Sequence, residues 1–524
     1  MKKNQTIAFV IFILIHISIL SYFHNRFWCA ADDGEFSHVA QRLNNGEVLF
    51  RDVQDSHPGY IHWLNALSMR IFGEDFVSLR YPVTTVFFVI GCLVFFVFSS
   101  HNLGLAMVAG FCPTVLDFVH YINPNHHWYA LFFTILIAVV LSRDALDKHR
   151  QSFIVGVLIA TVYLFRQLTG VFVSMAVITF FLLEASEKRA AQGKLKDSLL
   201  FYFLTGLILV GMVLYLLRRT DIFGFFAFGV WPLLLTGWMF AARFASNKDL
   251  GERLKYFLPG IVAGLLPLFV QQLLQGTLGA WFEHSVIRAL QTYQHKFLSN
   301  YNYAVLWLAA WRNIFTPQNF LQIVNSFYWI ILFSFSIVNG VLLFFYGKRL
   351  ERKNTRMIAL PVLASFYAIV AVHFQIPVYL YFTAGFSATA VLWWMIVLKP
   401  RAWIQGLVAG GVSLMMAVAL YCHAAQPLTR SFYFLLSGIK FPAVWAANDL
   451  KRTHLWIDRE DFAVYTRIME VVEERSKKDE SIFVLPYNPE IYFMSGRKNI
   501  FPFFVSDFQS QKDYSSIRAQ LEQT

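Results

Sequence analysis

The chain has 524 residues, of which 57% are hydrophobic, 18% aromatic and only 15% charged. A soluble domain carries about 25% charged residues, and a soluble fold of this length could not bury 55 Phe, 23 Tyr and 14 Trp in its cores. With 44 Lys+Arg against 32 Asp+Glu and a mean hydropathy of +0.50, it is no ordinary soluble enzyme, disordered chain or coiled coil. It reads as a polytopic membrane protein whose positive charge marks inner loops and not a nucleic-acid partner.

The first apolar run, Ile7 to Phe23, follows Lys2 and Lys3. No small-residue cleavage site follows it, so it reads as an uncleaved span. Residues 26–81 then form a polar loop with two short helices. Asp32-Asp33-Gly34-Glu35 opens the first, which ends at Asn44-Asn45-Gly46, and Pro58 opens the second, which ends at Gly73. Further apolar runs fall near 82–100, 102–118, 127–142, 152–166, 167–184, 198–217, 222–243, 256–275, 326–346, 357–372, 379–398 and 403–423. The expected fold is therefore mainly α: a polytopic membrane bundle of about 13 transmembrane helices, with outer-face loop helices and a small C-terminal α/β extension.

Loop charge sets the expected orientation. With the N-terminus cytoplasmic, the inner loops hold Arg143, Lys148, Arg150, Lys188, Arg189, Lys194, Lys196, Arg243, Lys248, Arg253 and Lys255. They continue with Lys348, Arg349, Arg352, Lys353, Arg356, Lys399 and Arg401, whereas the short outer connections hold only Arg166, Arg218 and Arg219. Residues 1–423 thus form the transmembrane domain. Its outer face receives the 26–81 loop, a 276–325 segment of interfacial helices, and a C-terminal domain over 424–524. The last is read as a helix at Phe462–Arg475, a strand at Ile482–Leu485 and a turn at Pro486–Pro489. No repeat, P-loop or GxGxxG occurs, and Cys29, Cys92, Cys112 and Cys422 have neither metal spacing nor a disulfide framework.

Candidate chemistry gathers on the outer face. Asp32, Asp33 and Glu35 supply carboxylates for a general base or a metal ligand, and Asp32 with Glu35 also fits a capping box. His57 and Arg80 are imidazole and guanidinium donors to an anion, against a helix-start and a snorkelling reading. Asn125, His126 and His127 lie between the third and fourth spans, where a polar turn competes with weak metal binding. Arg166 and Gln167 interrupt apolar sequence, as an anion-holding pair would. Tyr379 fits an aromatic belt near His373. Carboxylates, His and Arg on one face suit transfer of a sugar from a lipid phosphate, with a base at the attacking hydroxyl and cations at the departing phosphate.

Asp32-Asp33-Gly34-Glu35-Phe36-Ser37-His38, followed by Gly46-Glu47 and His57-Pro58-Gly59, resembles the first outer loop of the C-type membrane glycosyltransferases. It is most similar to family 39, which includes the protein O-mannosyltransferases and the lipid A aminoarabinose transferase. Asn123–Trp128 and Tyr492–Asn499 are similar to uncharacterised bacterial members. The resemblance implies an inverting transferase of the bacterial inner membrane. Its donor would be a polyprenyl-phosphate sugar, and its acceptor a glycan, lipid or protein. Asp32 takes the position of the catalytic base, and Asp33 stands where the family has Glu. His57-Pro58 stands for a Lys-Pro step at the donor phosphate, and Arg166-Gln167 for a Lys-Gln or Lys-Gly step. No cofactor is assigned, and a divalent metal is left open. Two other readings stand beside it: a transporter or lipid-carrier flippase of envelope polysaccharide assembly, and a non-catalytic assembly subunit. A carrier predicts ionisable groups at span centres, where only Asp117 qualifies.

Overall fold

The computed structural model describes residues 3–143, 146–188, 198–292, 302–317, 320–349, 352–423, 445–446, 450–485, 487–502, 515, 517–519 and 522. Arg189, Lys194, Lys196 and Pro486, read above as loop charges and a turn, lie outside these. The chain is a mainly α, multi-pass helical bundle, and among the described residues eleven helices are long and apolar enough to cross a membrane. They include α1 (Lys3–Phe23), α4 (Phe76–Ser99), α5 (Leu103–Leu116, continued by a turn to His120), α8 (Gln167–Ala185) and α9 (Leu199–Arg219). The two remaining expected spans are helical as well. One is the short α6 (His126–Ser142); the other is α7 (Lys148–Phe165), which opens on Lys148, His149 and Arg150.

Burial separates centre from rim. The Thr355–Val372 and Val378–Leu398 helices are 89% and 94% buried, whereas α1 and Asn247–Leu274 are each only 22% buried. The outward faces of α1 (Val10, Leu14, Ile17) and α9 (Phe203, Val210, Leu214) are exposed and apolar, as lipid-facing surface must be. Asp117, the charge that interrupts the third span, is fully buried at the end of α5 and accepts the Gly385 N–H.

The closest helix approach joins α7 to Asn247–Leu274. A Cβ on Gly156 would lie 2.2 Å from the Phe257 carbonyl oxygen, and one on Gly260 would lie 2.2 Å from that of Phe153. Gly264 meets Ala160 in the same way, at 2.6 Å. Small residues four apart on both helices let the backbones touch, and that contact substitutes for a hydrophobic driving force that lipid does not provide.

The two ends of the bundle differ. At one end, strand β1 (Ser186–Lys188) pairs antiparallel with β2 (Arg243–Ala245), and Arg253 pairs with Glu184. Lys148, Arg150, Lys255, Lys348 and Lys399 stand on the connections of that end. The opposite end carries α2 (Ala30–Asn44), α3 (Tyr60–Phe72) and the tail. Trp456 exchanges backbone bonds with Asn25 and Phe27 (2.7 and 2.9 Å), and the Phe76 N–H donates to Arg452. The tail therefore covers the 26–81 loop, on the face opposite the basic connections.

Three local expectations change. The first loop helix begins at Ala30 with Cys29 as its cap, so Asp32 and Glu35 form no capping box. The second begins at Tyr60, after Gly59 at φ 119°, and not at Pro58. Residues 482–485 make no strand, because among the described residues the segment finds no partner strand beyond one bridge, Ser481 to Lys498. The tail's described strands are instead the two-residue pair Trp445–Ala446 and Ile457–Asp458, beside helices Arg459–Arg475 and Pro489–Ser495.

Gly260→Leu should drive side-chain atoms into the Phe153 backbone and cost about 1–3 kcal/mol, the usual range for overpacking. A lowered thermal midpoint of the detergent-solubilised protein, read by circular dichroism, checks this.

Candidate functional site

The site is assembled at the tail-covered end from α2, the 55–59 turn, α3, α6 and the α7–α8 junction. The two adjacent aspartates of α2 are used differently. Asp33 is buried and accepts both bonds of the Arg80 Nη2 (3.0 and 3.1 Å) and the Cys29 N–H at 2.9 Å. It thus reaches back to the N–H of the cap residue, the bond that the sequence suggested for Glu35. Arg80, wholly buried at the start of α4, spends its Nη1 on the Arg26 and Phe27 carbonyls. This engagement removes Arg80 from the expected phosphate ligands and makes it a positioning residue.

Asp32 is half-buried, carries no ion pair among the described residues, and accepts the Tyr121 hydroxyl. Burial raises its carboxyl above the ordinary aspartate range, while the Tyr121 hydrogen bond and nearby His57 pull it back down. Glu35, one turn on, accepts the hydroxyl of Tyr487 from the tail. Its carboxyl is also raised, first by burial and then by the charge of Asp55. Gly34 between them is required by contact: a Cβ there would lie 2.2 Å from the Glu490 nitrogen of the tail helix.

The turn before α3 brings in Asp55, which accepts from His57 Nδ1 at 2.9 Å and from His62 Nε2. Burial pushes the Asp55 carboxyl up, but the two imidazoles outweigh it and hold the group well below the usual range. Burial likewise works against charge on His57, and Asp55 more than offsets it, so His57 is raised. Trp281 Nε1 donates to the Pro58 carbonyl at 3.1 Å, which ties the 276–325 segment to this turn.

Asn125 caps α6 by accepting the His127 N–H at 2.9 Å. His126 then lies 4.2 Å from His57, ring to ring, and accepts a hydrogen bond from Arg166 Nη1. His127 stacks on Phe382 at 3.7 Å. Arg166 sits in the extended break between α7 and α8 (φ −151°) and its Nη2 reaches the Tyr379 hydroxyl at 3.4 Å. Gln167 donates to the Ser56 and Ser285 carbonyls, both at 2.8 Å. The helix N-termini of α6 and α8 add partial positive charge here.

Every residue expected from the sequence is therefore at this end. Asp32, Glu35, His57, His126, Arg166 and Tyr379 form one continuous cluster, while Asp33, Arg80, Asn125, His127 and Gln167 hold it in shape. Tyr121, Asp55, His62 and Tyr487 were not anticipated. The Asp55-x-His57-x4-His62 spacing carried a signal; the two tyrosines, remote in sequence, carried none. Such a set can take a proton at Asp32 and hold an anion at Arg166. No family model and no curated protein sequence matches this chain.

Arg80→Ala leaves Asp33 as a buried unpaired charge, which costs about 3–5 kcal/mol. Thermal unfolding in detergent should show that loss, whereas a guanidinium that only bound substrate would leave the midpoint unchanged.

Proposed function

We propose that the chain is a membrane glycosyltransferase. It would move a sugar from a polyprenyl-phosphate donor to an acceptor hydroxyl, with inversion, at the extracytoplasmic face of a bacterial inner membrane. The observation that carries this reading is the division of labour in Asp32-Asp33. One carboxylate is consumed by Arg80, and its neighbour is kept half-buried beside a hydroxyl, with a cation cluster next to it.

The proposed step is a single displacement. Asp32 takes the proton of the acceptor hydroxyl as its oxygen bonds to the anomeric carbon. The bond from that carbon to the phosphate oxygen breaks, and the lipid phosphate leaves with the electron pair. Arg166 and the α6 N-terminus meet the developing negative charge. His126, accepting from Arg166, aims the guanidinium. The family resemblance over Asp32–His38 and His57–Gly59 supports the same assignment, and the basic connections at the opposite end support the outward orientation.

Asp32→Asn should lower sugar transfer about 100- to 10,000-fold, the usual worth of a positioned base, with normal membrane insertion. Mass spectrometry of envelope glycans from cells with the variant, the parent and neither reads this out. Unchanged glycans would sink the base assignment and leave the carrier reading.

The pH profile gives a second check. Transfer needs the Asp32 carboxylate, so activity falls as pH drops through its raised pKa. Tyr121→Phe removes an interaction that lowers that pKa, and the acid limb of kcat/KM should therefore move to higher pH.

A further inference from the structure

Asp55, His57 and His62 each offer one ligand atom, and these three atoms all lie within 4.8 Å of one another. Two come from the turn that Gly59 closes and one from the first turn of α3, so a single short segment supplies the set. His62 is wholly buried, and the Asp55 side chain is 5% exposed. One turn further on α3, both amide atoms of Asn65 are buried with no hydrogen-bond partner among the described residues, as is His62 Nδ1. A hydrogen-bonded trio alone would leave these polar atoms unpaid for. An ion with its hydration would supply partners to them.

We propose that Asp55, His57 and His62 bind a divalent transition-metal ion of the zinc class. Two imidazoles and one carboxylate are the donor set that zinc takes at about 2.0–2.2 Å. Hard cations such as Mg2+ and Ca2+ prefer all-oxygen sites, which this is not. The Asp55 carboxylate lies between both imidazoles, so rotation of the three side chains that moves the donors apart would let them surround an ion. Three protein ligands leave a coordination position open, as in catalytic and not structural zinc sites. Glu35 and the His126–Arg166 pair border that side. The site rests on side-chain geometry and stands whether or not the chain transfers sugars.

The test uses the full-length protein in detergent, without a histidine tag, stripped by chelator and titrated with Zn2+ alone. One equivalent should bind in the parent. His62→Ala and Asp55→Asn should each weaken Kd at least 100-fold while thermal unfolding remains cooperative. Co2+ substitution reports on the parent without any variant. It should give visible bands of a nitrogen- and oxygen-ligated ion with no thiolate charge transfer, since Cys29, Cys92 and Cys112 lie elsewhere. Absence of stoichiometric binding, thiolate ligation, or affinity unchanged in both variants would each overturn the assignment. None of those results would touch the Asp32 reading, which the glycan measurement tests separately.

Discussion

The tail-covered end of this protein depends on the buried contact between Asp33 and Arg80. Neither charge has access to water, so each can persist only because the other, the Cys29 N–H and two backbone carbonyls satisfy it. The contact fastens the first loop helix to the start of α4 and fixes the chain between them. Because α2 cannot turn or slide once Asp33 is held, Asp32 and Glu35 must point to the other side. There they meet Tyr121 and Tyr487. A pair of neighbouring acids thus becomes one anchor and one carboxylate that meets a tyrosine hydroxyl. The chemistry is identical and the surroundings are opposite.

The cation side follows from a different constraint. Backbone groups cannot be left unpaired inside lipid, so the chain breaks helices only where protein covers the break. Arg166 occupies such a place. Its own backbone remains bonded to Val162 and Gly170, and its guanidinium turns inward to His126 and Tyr379. The contrasting pair at the basic end, Arg253 with Glu184, is held further by Lys148, Gln151 and Ser152. That arrangement locks α7, α8 and the Asn247–Leu274 helix together.

How much of this was legible beforehand depended on distance along the chain. Spans were readable because hydropathy is a local sum, and even the segments around Asp117 and over 357–372 are helices. The residues that share the tail-covered end were readable because counting spans assigns each connection to one of two ends. The capping assignment was misread by three residues, since the helix begins at Ala30 with Cys29 as its cap, while Arg80, far along the chain, takes Asp33. Strand 482–485 failed for a similar reason: β-propensity needs a partner strand, and among the described residues the segment's one bridge is Ser481 to Lys498.

Composition and local pattern determined that this chain crosses a membrane many times as helices, and which polar residues share one face. Tertiary structure alone decided what those residues do. Tyr121 reaches Asp32 across 89 positions, and Tyr487 reaches Glu35 across 452. Burial, pairing and proton affinity are set by such neighbours. Hydropathy is carried by each residue itself, whereas reactivity is a property of the contacts that folding creates.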